Sequence, residues 1–338
     1  MHPILFEIPL IHVTIKTYGF LMVIGFLSAV VLMRRMMRRI GEDPEKITNT
    51  ALYALIAGVV GSRIFYIFHH LDQFRGQWLD VFAVWKGGLE FLGGVIFAVV
   101  VMILYQLRQR LMVRRYFDVL AVGLMLGLGF GRIGCLMFGC CFGKPCELPW
   151  AIRFPYASPS FYSQVYPDAN RGRLTAYWDL PKEYFGYLSD DGKKWFPVEK
   201  EENKYQCGLK PKQFLTDQQR IEVTQGLYLA QRIHPTQIYE ALTAFFICLL
   251  MYGFWRWLGI RKPGITLGLV LILYGTTRFL LEFLRDDNPF EYNQGWLLYN
   301  GGTISQNICL YLILLGVILL MTFMFFKAVP VPQKHRRK

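Results

Sequence analysis

The sequence predicts an all-α polytopic membrane protein with seven transmembrane helices. The N-terminus is expected outside, the C-terminus in the cytoplasm, and an inserted outer head domain between the fourth and fifth helices. Three observations carry this expectation. Of 338 residues, 54% are hydrophobic and 16% aromatic, and mean hydropathy is positive, to the membrane side of an average globular chain. Apolar runs long enough to cross a hydrocarbon core of roughly 30 Å recur seven times. The formal charge of +13 sits in short blocks between those runs, as orientation signals do, which excludes a nucleic-acid-binding surface.

The runs follow one another at about 17 to 33, 51 to 68, 88 to 105, 117 to 138, 237 to 258, 264 to 284 and 304 to 326. The opening "MHPILFEIPLIHV" lacks a basic start and a small-residue cleavage site, so the first helix is expected to stay in place. Arg34, Arg35, Arg38, Arg39 and Lys46 follow that helix, and Arg108, Arg110, Arg114 and Arg115 follow the third. Arg256, Arg261 and Lys262 follow the fifth; Lys327, Lys334, Arg336, Arg337 and Lys338 follow the seventh. The other side has only Lys16, Arg75, Lys86 and Arg285 in its short loops, and the positive-inside rule sets the orientation from that contrast. The domain division is then 1–155 for four helices and an outer motif loop, 156–232 for the outer head, 233–326 for three helices and 327–338 for a basic cytoplasmic tail. The head is polar and rich in Tyr, Trp, Pro and Gly, with little period; a protective or spacing insertion is the favoured role.

Three arginines interrupt the apolar runs: Arg63 in "VVGSRIFYIF", Arg132 in "GFGRIGCLMF" and Arg278 in "LYGTTRFLLEFL". Each costs about 2.5 to 3.5 kcal/mol at mid-bilayer on insertion scales, so retention of three marks function. In the orientation above all three fall toward the outer face, on helices that run outward. The odd-numbered helices carry polar residues near their starts: Tyr18, Glu90, the group His234, Tyr239 and Glu240, and the group Ser305, Gln306 and Asn307. Tyr274, Arg278 and Glu282 share a helix face at i, i+4 and i+8, where Arg278 and Glu282 can pair. With several cations and few compensating acids, an anion site at the outer leaflet is the favoured reading over helix–helix hydrogen bonding. Arginine suits a lipid phosphate because its planar fork stays charged and donates two hydrogen bonds. The residues alone therefore lead to a phospholipid-handling enzyme or an anion transporter.

Glycines are expected to let backbones approach around this layer. Gly123, Gly127 and Gly131 repeat every four residues in the fourth helix. "WKGGLEFLGG", Trp85 to Gly94, reads as irregular backbone lining a cavity. Cys135, Cys140, Cys141 and Cys146 read C-x4-C-C-x4-C, without the paired C-x-x-C spacing of a zinc site, so packing or a disulfide is preferred to a metal site or a covalent nucleophile. Cys146 and Cys207 both fall in the outer segment, where a disulfide can persist.

The motifs "TYGFLMVIGF", "GSRIFY", "WKGGLEFLGG", "GRIGCLMFGCCFGKP", "RIHPTQIYEAL", "LYGTTRFLLEFLR" and "GGTISQ" occur in an order that resembles the bacterial prolipoprotein diacylglyceryl transferase family. The resemblance covers nearly all of the membrane part and not the stretch from about 156 to 230. It implies transfer of the diacylglyceryl group of phosphatidylglycerol to the lipobox cysteine thiol of prolipoproteins, giving a thioether and glycerol phosphate. It also implies a multi-pass protein of the bacterial cytoplasmic (inner) membrane with its site toward the outer leaflet, and substrates presented by the lipid bilayer and by prolipoprotein signal peptides. Carried over by motif position, the catalytic residues are Tyr18, Arg132, Arg278 and Glu282, with Arg132 and Arg278 on the phosphate and Glu282 orienting Arg278. Phosphatidylglycerol binding would draw also on Arg63, Gly143, His234, Tyr239 and Glu240, with Gln237 in support. No metal or organic cofactor is implied.

Three positions depart from the pattern. Leu92 stands where the better-known branch has a histidine proposed as base, Cys135 where it has asparagine, and Cys140 where it has an acidic residue. Leucine cannot accept a proton. Glu90, His234 and Glu282 are the candidate substitutes, unless arginine potential alone lowers the thiol pKa.

Overall fold

The computed structural model describes residues 4–8, 13–74, 78–82, 87–189 and 191–329. Part of "MHPILFEIPLIHV", together with Arg75, Trp85, Lys86, Lys334, Arg336, Arg337 and Lys338, lies outside them. A hairpin of β1 (Ile4–Ile8) and β2 (Val13–Lys16) leads into α1 (Thr17–Arg39), α2 (Pro44–His69), α3 (Phe91–Arg108) and α4 (Val113–Phe138). The next segment holds α5 (Pro159–Val165), β3 (Phe185–Leu188), β4 (Trp195–Pro197), β5 (Gly208–Leu209) and α6 (Asp217–Thr224). The chain closes with α7 (Thr236–Phe254), which continues through a π-helical turn Trp255–Gly259, then α8 (Ile265–Glu282) and α9 (Ile304–Met324). Among the described residues, seven of these helices are long and apolar enough to cross a membrane, as the sequence predicts.

α1, α2 and α4 extend beyond the apolar runs that predict them. Arg34, Arg35, Arg38 and Arg39 complete α1 instead of following it, because arginine is a good helix former and its charge suits a helix C-terminus. Pro44 starts α2 with its fixed φ, after Asp43, whose side chain accepts from Glu45 N at 2.9 Å.

The chain divides into two compact units: Met1–Gly25, Leu128–Phe246 and Leu271–Leu314 form one; Phe26–Gly127, Ile247–Val270 and Leu315–Lys338 form the other. In the second unit, α2 and α3 approach through small residues: a Cβ on Gly93 would stand 2.7 Å from Gly61 O, and one on Gly94 2.8 Å from Gly58 O. Gly93 and Gly94 are thus helical packing residues, and the irregular backbone expected through "WKGGLEFLGG" ends at Glu90. The buried Asp118 accepts from Gly264 N and Leu267 N, both at 2.7 Å, and satisfies orphan donors at the start of α8. In the first unit, Gly131 lies against Met22 and Gly134 against Tyr18 of α1. Leu124, Leu242, Phe246 and Leu249 stay exposed on their helices, as lipid-facing side chains do.

The stretch 156–232 is folded. Its sheet has the order β4-β3-β5, all antiparallel. Tyr156, Phe161, Val165, Leu180, Tyr184, Phe185, Val198, Cys207, Leu209, Leu215, Val223 and Ala230 form its core. Ser158 caps α5 and a reciprocal Thr216–Gln219 box caps α6. The short strands and these two helices are illegible in the sequence because aromatic residues separated by long irregular stretches give neither a period of 2 nor one of 3.6.

Candidate functional site

The site lies within the first unit and begins where α4 ends. Gly139 at φ +87° and Cys141 at φ +59° are left-handed, and they turn the chain back before it extends through residues 142–146. That extended segment is bonded on both sides. Lys144 N donates to Leu284 O at 2.8 Å and Asp286 N to Phe142 O at 3.1 Å; on the other edge His234 N donates to Lys144 O at 3.0 Å and Cys146 N to Arg232 O at 2.9 Å. Gly143 sits at the narrowest point: a Cβ there would stand 2.6 Å from both His234 Cβ and His234 O, and 3.0 Å from Leu284 O. Gly143→Ala is therefore expected to cost about 1–3 kcal/mol through overpacking against backbone, read as a lower melting temperature in detergent. The start of α7 fixes the same turn. Thr236 Oγ1 donates to Cys141 O and Gln237 Nε2 to Cys140 O, each at 2.7 Å.

Glu240 is the centre of an ion-pair cluster. Its carboxylate lies 2.5 Å from Arg132 Nε, 2.9 Å from Arg285 Nη1 and 3.4 Å from Arg278 Nη1, so it joins α4, α8 and the segment after α8. Arg278 also pairs with Glu282 across one helical turn, as the i, i+4 spacing predicts, and donates to Ser305 Oγ at 3.2 Å. Glu282 accepts from Asn288 Nδ2 at 2.5 Å and Thr303 Oγ1 at 2.9 Å. Arg285 binds Asp287 through two nitrogens, at 2.9 and 2.6 Å. Burial works against the Arg285 charge, yet Asp287, Cys141 and Glu240 outweigh it and hold the guanidinium above its usual value.

Arg132, Arg278 and Arg285 thus meet Glu240, Glu282 and Asp287, which corrects the expectation of few compensating acids. The carboxylates hold the guanidiniums in fixed poses. Arg132 uses Nε on Glu240 and Nη1 on Cys141 Sγ at 3.4 Å, while its Nη2 has no acceptor among the described residues.

Tyr18 lies over Gly134, within electrostatic reach of Arg132, Cys135, Cys140 and Cys141. Tyr239 takes a hydrogen bond from Trp150 Nε1 at 2.7 Å and packs edge-on to His234. Burial holds the His234 imidazole below its usual pKa, so it is neutral near pH 7 and can accept a proton. The unfolded chain takes up that proton first, near pH ~6.5, so the stabilisation is present above this value and lost as pH falls toward the lower folded value. Melting scans across this acid range should show the loss, and His234→Gln should flatten it.

The thiols of Cys135, Cys140 and Cys141 lie within 4.8 Å of one another. Hydrogen bonds from Cys135 and Cys140, then the charges of Arg285 and Arg132, hold the Cys141 thiol below its usual pKa. All seven cysteines are free, Cys146 and Cys207 included, so of the two alternatives left open, packing or a disulfide, the disulfide is not formed. Cys207 instead belongs to the core of the 156–232 fold.

Arg63 and Glu90 belong to the second unit. All three Arg63 guanidinium nitrogens donate to carbonyls: Nε to Val81 at 3.0 Å, Nη1 to Gly87 and Gly88 at 2.7 and 3.1 Å, Nη2 to Asp80 at 2.5 Å. Arg63 therefore organises the approach to α3. Glu90 faces His69 Nδ1 at 2.7 Å. Gln306 and Asn307, expected in the polar layer, shape the entry to α9: Gln306 and Thr303 cap each other, and Asn307 Oδ1 accepts from Leu298 N and Tyr299 N.

Sequence reasoning misses Arg285, which counts there only as a loop charge. Its signal is the spacing Arg278, Glu282, Arg285, at i, i+4 and i+7 of one face. Arg171 is missed too. It comes from the 156–232 fold, donates to Asn288 O and to Arg285 O, the latter at 2.8 Å, and so supports the turn that carries Arg285.

Comparison with known proteins identifies the family. The family model described as prolipoprotein diacylglyceryl transferase matches residues 3–322. The phosphatidylglycerol–prolipoprotein diacylglyceryl transferase of Methylococcus capsulatus is 28% identical over 312 residues, covering 90% of this chain and 88% of that protein. Its counterpart in Buchnera aphidicola subsp. Acyrthosiphon pisum is 30% identical over 326 residues, 95% of each chain, and that of Clostridium tetani 25% over 317 residues, 94% and 96%. The chain belongs to the prolipoprotein diacylglyceryl transferase family.

Proposed function

We propose that this multi-pass membrane protein transfers the diacylglyceryl group of phosphatidylglycerol to the lipobox cysteine thiol of prolipoproteins, forming a thioether and releasing glycerol phosphate. The observation that carries the site assignment is the convergence of Arg132 and Arg278 on Glu240, from two helices far apart in sequence. A lipid phosphate placed against Arg132 Nη2 meets a donor that is already aimed and needs no reorganisation. As the substrate sulfur bonds to the glyceryl carbon, the carbon–oxygen bond breaks and charge grows on the phosphate. Arg132 and Arg278 stabilise that charge, while Glu282 and Glu240 keep both guanidiniums oriented. Tyr18 and Tyr239 flank the site, and Gly143 admits the backbone crossing on which its walls are built.

The site faces the outer leaflet of the bacterial cytoplasmic membrane in this reading, which rests on the blocks of Lys and Arg that follow the odd-numbered spans. Asp217→Cys, at a fully exposed position of the 156–232 fold, is then expected to react with a membrane-impermeant thiol reagent in intact spheroplasts. Protection until the membrane is broken would reverse the orientation.

The activity is tested with full-length protein in lipid nanodiscs, phosphatidylglycerol labelled in its acyl chains and a lipobox peptide. Label is expected on the peptide through a hydrolysis-resistant thioether, and not on a peptide with serine in place of the lipobox cysteine. Lipid movement between leaflets without peptide labelling would make the arginine cluster a transport site and end this reading.

A further inference from the structure

Three thiols meet at the end of α4, and the chain is shaped to bring them there. Cys135 is on the last helical turns; Cys140 and Cys141 return after the left-handed step at Gly139. Cys141 is itself left-handed at φ +59°, a conformation that is costly for a non-glycine residue and persists only where its surroundings impose it. Here Thr236 and Gln237 impose it, each holding one cysteine carbonyl at 2.7 Å. The result is three sulfur atoms within 4.8 Å of one another. Three thiolates on one tetrahedral zinc ion, with zinc–sulfur bonds of about 2.3 Å, stand about 3.8 Å apart, so only a small contraction separates this arrangement from a ligand set.

The surroundings match the charge of such a set. A divalent ion with three thiolates carries one net negative charge, and Arg132 Nη1 already donates to Cys141 Sγ at 3.4 Å. No fourth His, Asp, Glu or Cys joins the three thiols among the described residues, and Cys140 and Cys141 are only half-buried, which leaves one coordination position open. Three protein ligands with an open fourth position is the arrangement of catalytic rather than structural zinc. The neighbouring carboxylates Glu240 and Glu282 are meanwhile tied to guanidiniums and poorly placed to take a proton.

We propose that Cys135, Cys140 and Cys141 form a zinc site whose open fourth position receives the lipobox thiol of the prolipoprotein. The inference rests on the transferase reading above for the identity of that thiol. On binding, the substrate sulfur bonds to the ion and its proton passes to water, since a coordinated thiol is deprotonated near neutral pH. The sulfur then bonds to the glyceryl carbon as the carbon–oxygen bond breaks, with the electron pair leaving on the phosphate oxygen held by Arg132. The product thioether is neutral and a weak ligand, so it dissociates and reopens the position. No oxidant or reductant is consumed.

The test uses full-length protein purified in detergent with a non-thiol reductant, stripped of metal and titrated with cobalt(II) or zinc(II) alone. One ion per chain is expected, with sulfur-to-cobalt charge-transfer absorption that grows when a lipobox peptide is added and does not grow with its serine counterpart. Cys135→Ser, Cys140→Ser and Cys141→Ser should each weaken uptake at least tenfold, while Cys146→Ser/Cys207→Ser should not. No stoichiometric uptake by the unaltered protein, or uptake unchanged in the three variants, overturns the site. Metal-stripped protein that labels the peptide at full rate overturns the zinc inference and leaves the transferase reading standing. Metal-loaded protein with the peptide-dependent band but no thioether under any condition ends the transferase reading while the metal site stands.

Discussion

Arg132→Ala is expected to reduce diacylglyceryl transfer by about a thousandfold or more, the scale set by removing a donor aimed at developing charge. The protein should stay folded. Glu240 keeps Arg285 at 2.9 Å and Arg278 at 3.4 Å when Arg132 is removed, so no carboxylate is left buried without a cation. The measurement is peptide labelling per mole of protein whose melting temperature matches the unaltered chain. Arg132→Lys is expected to recover little, because an ammonium cannot hold Glu240 through one nitrogen while offering another in a fixed plane. Full activity in a folded Arg132→Ala protein would remove Arg132 from the site.

Glu240→Ala is expected to act in the opposite order, on stability first. It takes a shared carboxylate from three guanidiniums. Arg278 retains Glu282 and Arg285 retains Asp287, but Arg132 is left without a carboxylate in a largely buried place. Breaking a buried ion pair by removing one partner costs about 3–5 kcal/mol. The result should be a clear fall in melting temperature in detergent, with Glu240→Gln intermediate because the amide still accepts one hydrogen bond. A melting temperature unchanged in Glu240→Ala would mean that water, not this carboxylate, solvates the arginines.

The helices are legible in the sequence because each apolar run is long, and because a polar residue inside such a run is costly enough to stand out. Arg132, Arg278 and Glu282 can be placed on one polar layer from their positions alone, and the Arg278–Glu282 pair from its spacing. What cannot be read is how contacts close across the sequence. Glu240 looks like one more polar residue at a helix start; only the folded chain shows that it joins Arg132 to Arg278. Arg63 stands out by the same cost argument as Arg132, but its nitrogens are taken by the backbone before α3, a local structure with no periodic signal. The cysteines fail as a motif for a related reason. Ligand spacing assumes regular backbone, and here left-handed steps at Gly139 and Cys141 bring together thiols that the spacing keeps apart.

The extended segment 142–146 also constrains the order in which the protein can be made. Its two bonded edges are residues 232–234 and 284–286, which leave the ribosome long after it does. Until α7 and α8 have been inserted, Phe142 and Lys144 have no backbone partners and Gly143 has nothing to lie against. A nascent chain interrupted between residues 146 and 286 therefore carries Cys135, Cys140, Cys141 and Arg132 but no assembled site. The arginine cluster thus stays incomplete until the sixth span has been made, because Arg278, Arg285 and one edge of the extended segment all come from it or from the residues just after it.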